Sequence, residues 1–488
     1  MGRCVLLIFT FMVLSVGLER GRTSDGGGAG TTGEAPMDRA EKEALYSAIR
    51  GFVGDWWNGS YLYPDPCGFT PIQGVSCDLF GGQWYVTSLN IGPVHENSLN
   101  CSAKPLFSSQ LFDLKHLKSL SFFNCFVYDH QTLPPDSYWD GLSGSLESLE
   151  IRTNPGLTGG IPSSFGRLLG LWSLVIIENG LNGTVPTNLG DLAGLKRLVL
   201  AGNRFTGPIP NSFGGLTKLL ILDMSSNSLS GPLPPSIGSM ASLLKLDLSN
   251  NMLHGDLPSD LGNLRSLTLL DLRNNSFSGG LIPSLHMMES LEELALSRNP
   301  IGGDIGVLDW QKFKGLAVLD LSGMGLTGEI PEAFSQLEKI RFLGLSDNIL
   351  SGALPPKLET LPCLSALYVN GNNLSGEIKF STGFYDRMGW RFGAWDNPNL
   401  CYPAADLGPN GSRMPHRVRP CGHEEEKEVV RDPSISGGKG LGADGGDSGG
   451  NSHFLPILGF SNNGADGFQC SNFWVHVLLL AVVSSFLE

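Results

Sequence analysis

Hydrophobic residues return along the middle of the chain in a fixed phase. Leu195-Lys196-Arg197-Leu198-Val199-Leu200-Ala201-Gly202-Asn203-Arg204-Phe205 is followed by Gly207, Ile209 and Pro210. The same order comes back as Leu219, Leu222, Met224, Asn227, Leu229, Gly231, Leu233 and Pro234, and again as Leu243, Leu246, Leu248, Asn251, Leu253, Gly255, Leu257 and Pro258. The asparagine slot falls at 154, 179, 203, 227, 251, 275, 299, 348 and 372, with Met324 in the slot between 299 and 348, so the period is 24 or 25 residues. Leucines two apart, such as Leu198 and Leu200, predict a short strand that turns both side chains to one face. Phe205 and Ile209 predict a bend that returns to the same interior.

One coil of this length cannot close a core, but a stack of coils buries a continuous one. The period and the L-x-x-L-x-L-x-x-N-x-L order are those of the leucine-rich repeat. The expected fold is a curved α/β solenoid built mostly of short parallel strands, with about eleven to twelve repeats of about 24 residues. The repeats run from Leu117 to about Lys379, after a degenerate turn at Val86-x-x-Leu89-x-Ile91. The asparagine amides are expected to bond backbone groups of adjacent coils, at about 1–3 kcal/mol for each group otherwise left unsatisfied. Met324 has no amide, which predicts a local irregularity. Cys125 takes the same slot in the first repeat.

An open solenoid needs capped ends. Asp38-Arg39-Ala40-Glu41 reads as a capping box that opens an amphipathic helix to about Phe52. Trp56, Trp57, Trp84 and a Cys67–Cys77 pair are expected to cover the first coil. Trp390, Trp395, Asn397 to Cys401 and Cys421 are expected to seal the last. The organisation expected is a signal peptide at 1–24, a disordered 25–36, an amino-terminal cap at 37–85, the solenoid at 86–380, a carboxy-terminal cap at 381–422, a flexible stalk at 423–463 and an anchor signal at 464–488.

Composition then fixes the compartment. One basic residue and an apolar run, CVLLIFTFMVLSVGL, read as a secretory signal. Gly2 does not make a myristoylation site, because Leu6 stands where Ser or Thr is needed. Nine cysteines, all but Cys4 behind the signal, point to an oxidising compartment. Their spacing suggests the local pairs Cys67–Cys77, Cys101–Cys125 and Cys401–Cys421, with Cys363 and Cys470 standing alone. Sequons at Asn58, Asn100, Asn182, Asn274, Asn373 and Asn410 are expected to carry sugar. The net charge of −14, with no Lys/Arg stripe, argues against a nucleic-acid partner. After the Gly-rich run near Gly437, small residues at Asn462 to Ala465, a polar spacer and a terminal apolar run match a GPI-anchor signal, with attachment at Asn463. The alternative is a short single span. Either way the expected location is the secretory pathway and the extracellular face of the plasma membrane.

Three motifs point to chemistry that their setting does not support. Gly446-Asp447-Ser448-Gly449-Gly450 spells the surroundings of a protease serine, but it sits in a glycine run without base or scaffold. Gly440-x-Gly442-x-x-Gly445 has no strand before it and no helix after it. His423-Glu424-Glu425-Glu426 lacks ligand spacing. No kinase motif set follows the repeats, and no cofactor, metal or catalytic residue is expected. Binding is placed instead on the residues between the leucines, where the concave sheet faces outward. Asp223, Asp247, Asp271 and Asp320 form an acidic column, which also suits a merely solvated face. Arg152, Ile177, Arg273, Arg298, Phe342 and Tyr368 are the large side chains at its flanks.

The phrase Leu326-Thr327-Gly328-Glu329-Ile330-Pro331 and the front cap from Pro66-Cys67 to Gly74-Val75-Ser76-Cys77 resemble the plant-specific class of extracellular leucine-rich repeats. That class implies a right-handed twisted solenoid with an extra strand per repeat beside the concave sheet. The stretches Gly51 to Asp78, Leu114 to Phe126 and Glu359 to Glu377 resemble plant leucine-rich-repeat receptor-like proteins, over roughly Lys42 to Cys421. This resemblance implies a cell-surface protein without kinase that binds an extracellular peptide or protein and signals through a leucine-rich-repeat receptor kinase. It also implies a part in a plant's response to a root-colonising endophytic fungus. The paired arginines with which peptide-receptor relatives hold a terminal carboxylate are not found on neighbouring repeats. The alternative function is a secreted inhibitor or wall scaffold.

Overall fold

Leu198, Leu222 and Leu246 lie side by side on consecutive coils, each the register partner of the next. The computed structural model describes residues 36–93, 98–128, 130–403 and 415–422. Each coil contributes one short strand, such as Arg197–Val199 and Ile221–Asp223, to a single 14-stranded sheet that ends at Phe392–Gly393. The strands are parallel except at the start. There Val75–Phe80 and Gln83–Ile91 form an antiparallel hairpin. Its turn is Gly81-Gly82, both with positive φ, as a tight two-residue connection requires. The hairpin hands its register to the repeats directly, Leu89 pairing with Leu120 and Ile91 with Phe122.

Opposite each strand the chain turns through a short 3-10 helix, such as Asn211–Gly215, entered from the extended Pro210. Leu198, Leu200, Phe205, Ile209, Phe213 and Leu216 all point inward and are buried. Every coil repeats this, so the core is one continuous column shared by neighbours.

The asparagines stitch coil to coil. The Asn275 amide donates to the carbonyls of Leu248, Leu272 and Arg273 at 3.0, 3.1 and 3.3 Å. Its oxygen accepts the Leu253 N–H at 3.0 Å. Asn397, in the terminal segment, continues the ladder by accepting the Leu374 N–H at 3.0 Å. The irregularity expected at Met324 is visible. Met324 is buried as an apolar residue, and the Gly302 N–H bonds its backbone carbonyl at 2.8 Å instead. A second sheet of five short strands runs beside the first, from Asn182–Thr184 to Ser276–Ser278. It stops there. Gly303–Asp304 pairs only with Leu326–Thr327, as a separate two-stranded piece.

The front cap is a helix, Arg39–Val53, whose N-cap Asp38 accepts the Glu41 N–H at 3.0 Å. The expected box is only half formed. The Glu41 carboxylate turns away from the helix start and accepts the Val86 N–H at 3.1 Å, tying the helix to the hairpin. Phe52 packs on Phe122, ring centres 4.9 Å apart. Trp57 is buried, but Trp56 is 75% exposed and covers nothing. At the far end the helix Thr382–Met388 lays Phe384, Tyr385 and Met388 against Phe392 and the last coils. Trp390, expected in this seal, is 73% exposed and rests against His416 at 4.1 Å.

The disulfides Cys67–Cys77, Cys101–Cys125 and Cys401–Cys421 are present. Cys363 does not stand alone: it too is disulfide-bonded. Among the described residues no helix is long and apolar enough to cross a membrane. The expected signal peptide, stalk and anchor signal, with Asn410 and Asn463, lie outside the described residues.

Candidate ligand-binding face

Alternation within each three-residue strand decides what the concave face carries. With the central leucine buried, the residues on both sides of it point outward. Two rows therefore lie on the concave side, with Val199, Asp271 and Ala295 themselves buried by their neighbours. One contains Arg197, Ile221, Lys245, Leu269, Glu293, Val318 and Phe342; the other contains Val199, Asp223, Asp247, Asp271, Ala295, Asp320 and Gly344.

The middle of the face is a charge cluster. Lys245 Nζ stands 3.1 Å from Asp223 Oδ2 and 3.5 Å from Asp247 Oδ2, on two different coils. Arg273 folds back on Asp271, with Nη2 2.5 Å from Oδ2 and Nε 3.0 Å from both carboxylate oxygens. Asp320 Oδ2 accepts the Ser297 hydroxyl at 2.8 Å. Glu293 sits in the row beside Asp271 and Asp320. Five carboxylates thus face two cations, and the patch is negative.

These aspartates are not a solvated fringe. The Asp223 and Asp247 side chains are 15% and 16% exposed, and that of Asp271 only 6%. Each anchors its own strand end: Asp247 Oδ1 accepts both the N–H and the hydroxyl of Ser249, at 3.1 and 2.7 Å, and Asp223 does the same for Ser225. Burial raises the pKa of Asp247, and Asp223 and Asp271 raise it further. Glu293 is raised by burial and then by Asp271. Burial works to lower the Lys245 ammonium, but Asp223 and Asp247 outweigh it and hold the pKa above its ordinary value. A cation arriving from solution would relieve the same repulsion that raises the carboxylates.

The flanks differ. Arg152 is held by Glu150 at 3.0 Å, and Arg197 approaches the same carboxylate at 4.0 Å. Ile177 is half-buried at the end of its strand. Phe342 and Tyr368 lie 5.9 Å apart toward the carboxy-terminal end. Arg298 is not on the sheet: it occupies the left-handed turn beyond the strand, φ 57°, on the exposed rim. Lys245, Glu293 and Arg197 were missed by reading only the residues after each central leucine. The same two-residue alternation marks them. Among the described sequons, Asn58, Asn100, Asn182 and Asn373 are exposed. Asn274 is half-buried, its amide donating to Asn250 Oδ1 at 2.7 Å.

Comparison with known proteins agrees with this architecture. The leucine rich repeat family matches residues 194–253, and again 266–288 and 315–337. Piriformospora indica-insensitive protein 2 of Arabidopsis thaliana is 63% identical over 392 residues, covering 80% of this chain and 92% of that protein. The chain belongs to the Piriformospora indica-insensitive family of leucine-rich-repeat receptor-like proteins. More distant from that family, Protein TOO MANY MOUTHS of Arabidopsis thaliana is 33% identical over 145 residues, 29% of this chain and 28% of that one. Among solved structures, the plant peptide hormone receptor RGFR1 in complex with RGF2 matches with TM-score 0.55 and 28% identity, over 61% of this chain and 46% of that one. PEPR1 with AtPEP1 matches with TM-score 0.58 and 25% identity, over 75% of this chain and 52% of that one. This family member thus spans about half the length of those two receptor chains.

Proposed function

We propose that the chain is a cell-surface receptor-like protein that binds an extracellular peptide or protein through the middle of its concave face. It carries no kinase motif set and signals through a partner leucine-rich-repeat receptor kinase. The observation that carries the reading is the half-buried acidic cluster at Asp223, Asp247, Asp271, Glu293 and Asp320, only partly neutralised by Lys245 and Arg273. Such a patch favours a partner that brings positive charge or hydrogen-bond donors, and it speeds their encounter. Solved neighbours in complex with peptides support a peptide or protein ligand. A relative named for insensitivity to Piriformospora indica supports the setting, a plant's response to a root-colonising fungus. A lipid anchor attached at Asn463 would hold the protein at the plasma membrane.

Proximity labelling on intact root cells tests the reading. The double variant Asp223→Asn, Asp247→Asn removes two charges and keeps each side-chain oxygen that accepts the serine N–H. The expected result is loss of specific extracellular neighbours, a receptor kinase among them. An unchanged set of neighbours would refute the concave-face assignment.

A further inference from the structure

The amino-terminal end of the same sheet is built differently from its middle. A cavity of about 600 Å³ lies there over the hairpin and the first two repeats. Its floor is a row of serines in register on adjacent strands: Ser76 beside Ser88, Ser88 beside Ser119, and Ser119 beside Ser148. Neighbouring strands lie about 4.8 Å apart, so the hydroxyls form a regular ladder. A parallel row sets Asn90 beside Ser121. The hydroxyls of Ser119, Ser121 and Ser148 make no hydrogen bond within the described residues.

Three walls close this end of an otherwise open groove. Gln73 and Gly74 border it on one side, where the Asn90 N–H bonds the Gly74 carbonyl at 2.7 Å and extends the hairpin ladder. Gly92 and Ser98 border it on another, and the Gly92 N–H bonds the Leu99 carbonyl at 2.9 Å. Gly92 has φ 121°, and a Cβ there would stand 1.9 Å from the Phe123 carbonyl oxygen, so only glycine permits this wall. The half-buried indole of Trp172 forms the rim on the far side.

The lining is also close to neutral. Lys118 is engaged by Asp78 at 3.8 Å, and Glu150 by Arg152 at 3.0 Å. Glu147 alone of the lining charges has neither. A basic partner suited to the acidic mid-face finds little charge here. The lining also offers no large aliphatic side chain as a socket for peptide residues, and the strand backbones are already paired. What it offers is a dense, periodic set of small donors and acceptors beside one flat aromatic face. A ligand that matches both has hydroxyls along its edges and C–H groups on its faces.

We propose that this cavity is a second ligand site, one that binds a neutral oligosaccharide, with a sugar ring against Trp172 and hydroxyls bridged to Ser88, Asn90, Ser119, Ser121 and Ser148. It is separate from the mid-face site and does not depend on it. The sugar is either a fragment of a wall polysaccharide or the glycan of a glycoprotein.

The test is titration calorimetry with the full-length protein purified from plant cells. One arm uses neutral oligosaccharides from β-glucan, xylan and chitin, and the other uses released N-glycans. Binding of either class supports the site and identifies its source. Trp172→Ala is expected to weaken binding about tenfold, the scale of one lost ring contact, with Trp172→Phe recovering most of it. The pair Ser119→Val, Ser121→Val removes hydroxyls while keeping strand-favouring residues, and is expected to weaken binding whether or not Trp172→Ala folds. Asp247→Asn is expected to leave the sugar affinity unchanged. No binding of any neutral oligosaccharide at millimolar concentration overturns the proposal. So does binding that survives both the tryptophan and the serine variants, binding lost in Asp247→Asn, or a cavity that takes only peptides.

Discussion

Glu41 makes the front cap sensitive to pH in a direction opposite to most carboxylates. It is 5% exposed, and its carboxylate accepts one hydrogen bond, from the Val86 N–H. Burial pushes its pKa from 4.5 up to about 7; the Val86 bond works against this, and Asp38 adds slightly to it. The native state therefore holds a proton that the unfolded chain releases near its ordinary value. Between those two values the native state binds more protons than the unfolded state, so stability falls as pH rises. The contribution is fully present below about 4.5 and lost above about 7. At about 1.4 kcal/mol per pH unit the span is about 3 kcal/mol, and partial water access at the cap brings the expected value to about 2 kcal/mol. Glu41→Gln keeps an oxygen for Val86 and has no charge to bury. It should match the wild type at pH 4 and exceed it by about 2 kcal/mol at pH 8. A solenoid end opens separately from the rest, so the measurement must be local. Hydrogen exchange by mass spectrometry on helix Arg39–Val53, corrected for intrinsic rates, reads it. A wild-type helix whose opening free energy is flat or rises between pH 4.5 and 7 would refute the reasoning. An equal slope in Glu41→Gln would do the same.

Other consequences are as direct. Asn275→Ala removes an amide that donates to three carbonyls and accepts one N–H within a buried ladder, and should cost about 3 kcal/mol in chemical denaturation, with protection lost first in the two coils it joins. Selective reduction of Cys101–Cys125, which closes 24 residues, should destabilise by about 3 kcal/mol, read as early exchange at the front cap while the strands beyond Leu243 stay protected. Association through the mid-face should weaken as salt rises from low to physiological strength, mainly in the on-rate, and the slope should shrink in Asp223→Asn, Asp247→Asn; surface plasmon resonance at several ionic strengths measures both.

The stacked coils were legible because each leucine and asparagine has one job that the next coil repeats. A period of 24 or 25 residues leaves no other fold for Leu198, Leu222 and Leu246. The hairpin was not read, although Gly81-Gly82 between two strand-like runs carries its signal. Trp56 and Trp390, expected in the caps, stay exposed. At the far end burial follows the helix face, which selects Phe384 and Tyr385, and at the front the turn after the helix buries Trp57 between Tyr46 and Tyr63 instead. In the mid-face, the acidic column was read and its cation was not. Lys245 stands before the leucine and its partners after it, so the cluster exists only once neighbouring coils are laid in register. The serine row at the front is of the same kind: single serines mean little in a chain, and alignment across strands makes them a surface.

The lateral ribbon that ends at Ser278 bears on how the molecule carries load. From Asn182–Thr184 to Ser276–Ser278 two sets of strands tie each coil to the next, and on either side of that stretch, from Thr158 to Asn182 and from Ser278 to Gly303, only the inner set does. Pulled from its ends, such a rod parts at its weakest joint. Such joints flank the doubly tied stretch, between Thr158 and Asn182 and between Ser278 and Gly303, and they set it apart as a block that fails after its neighbours rather than with them.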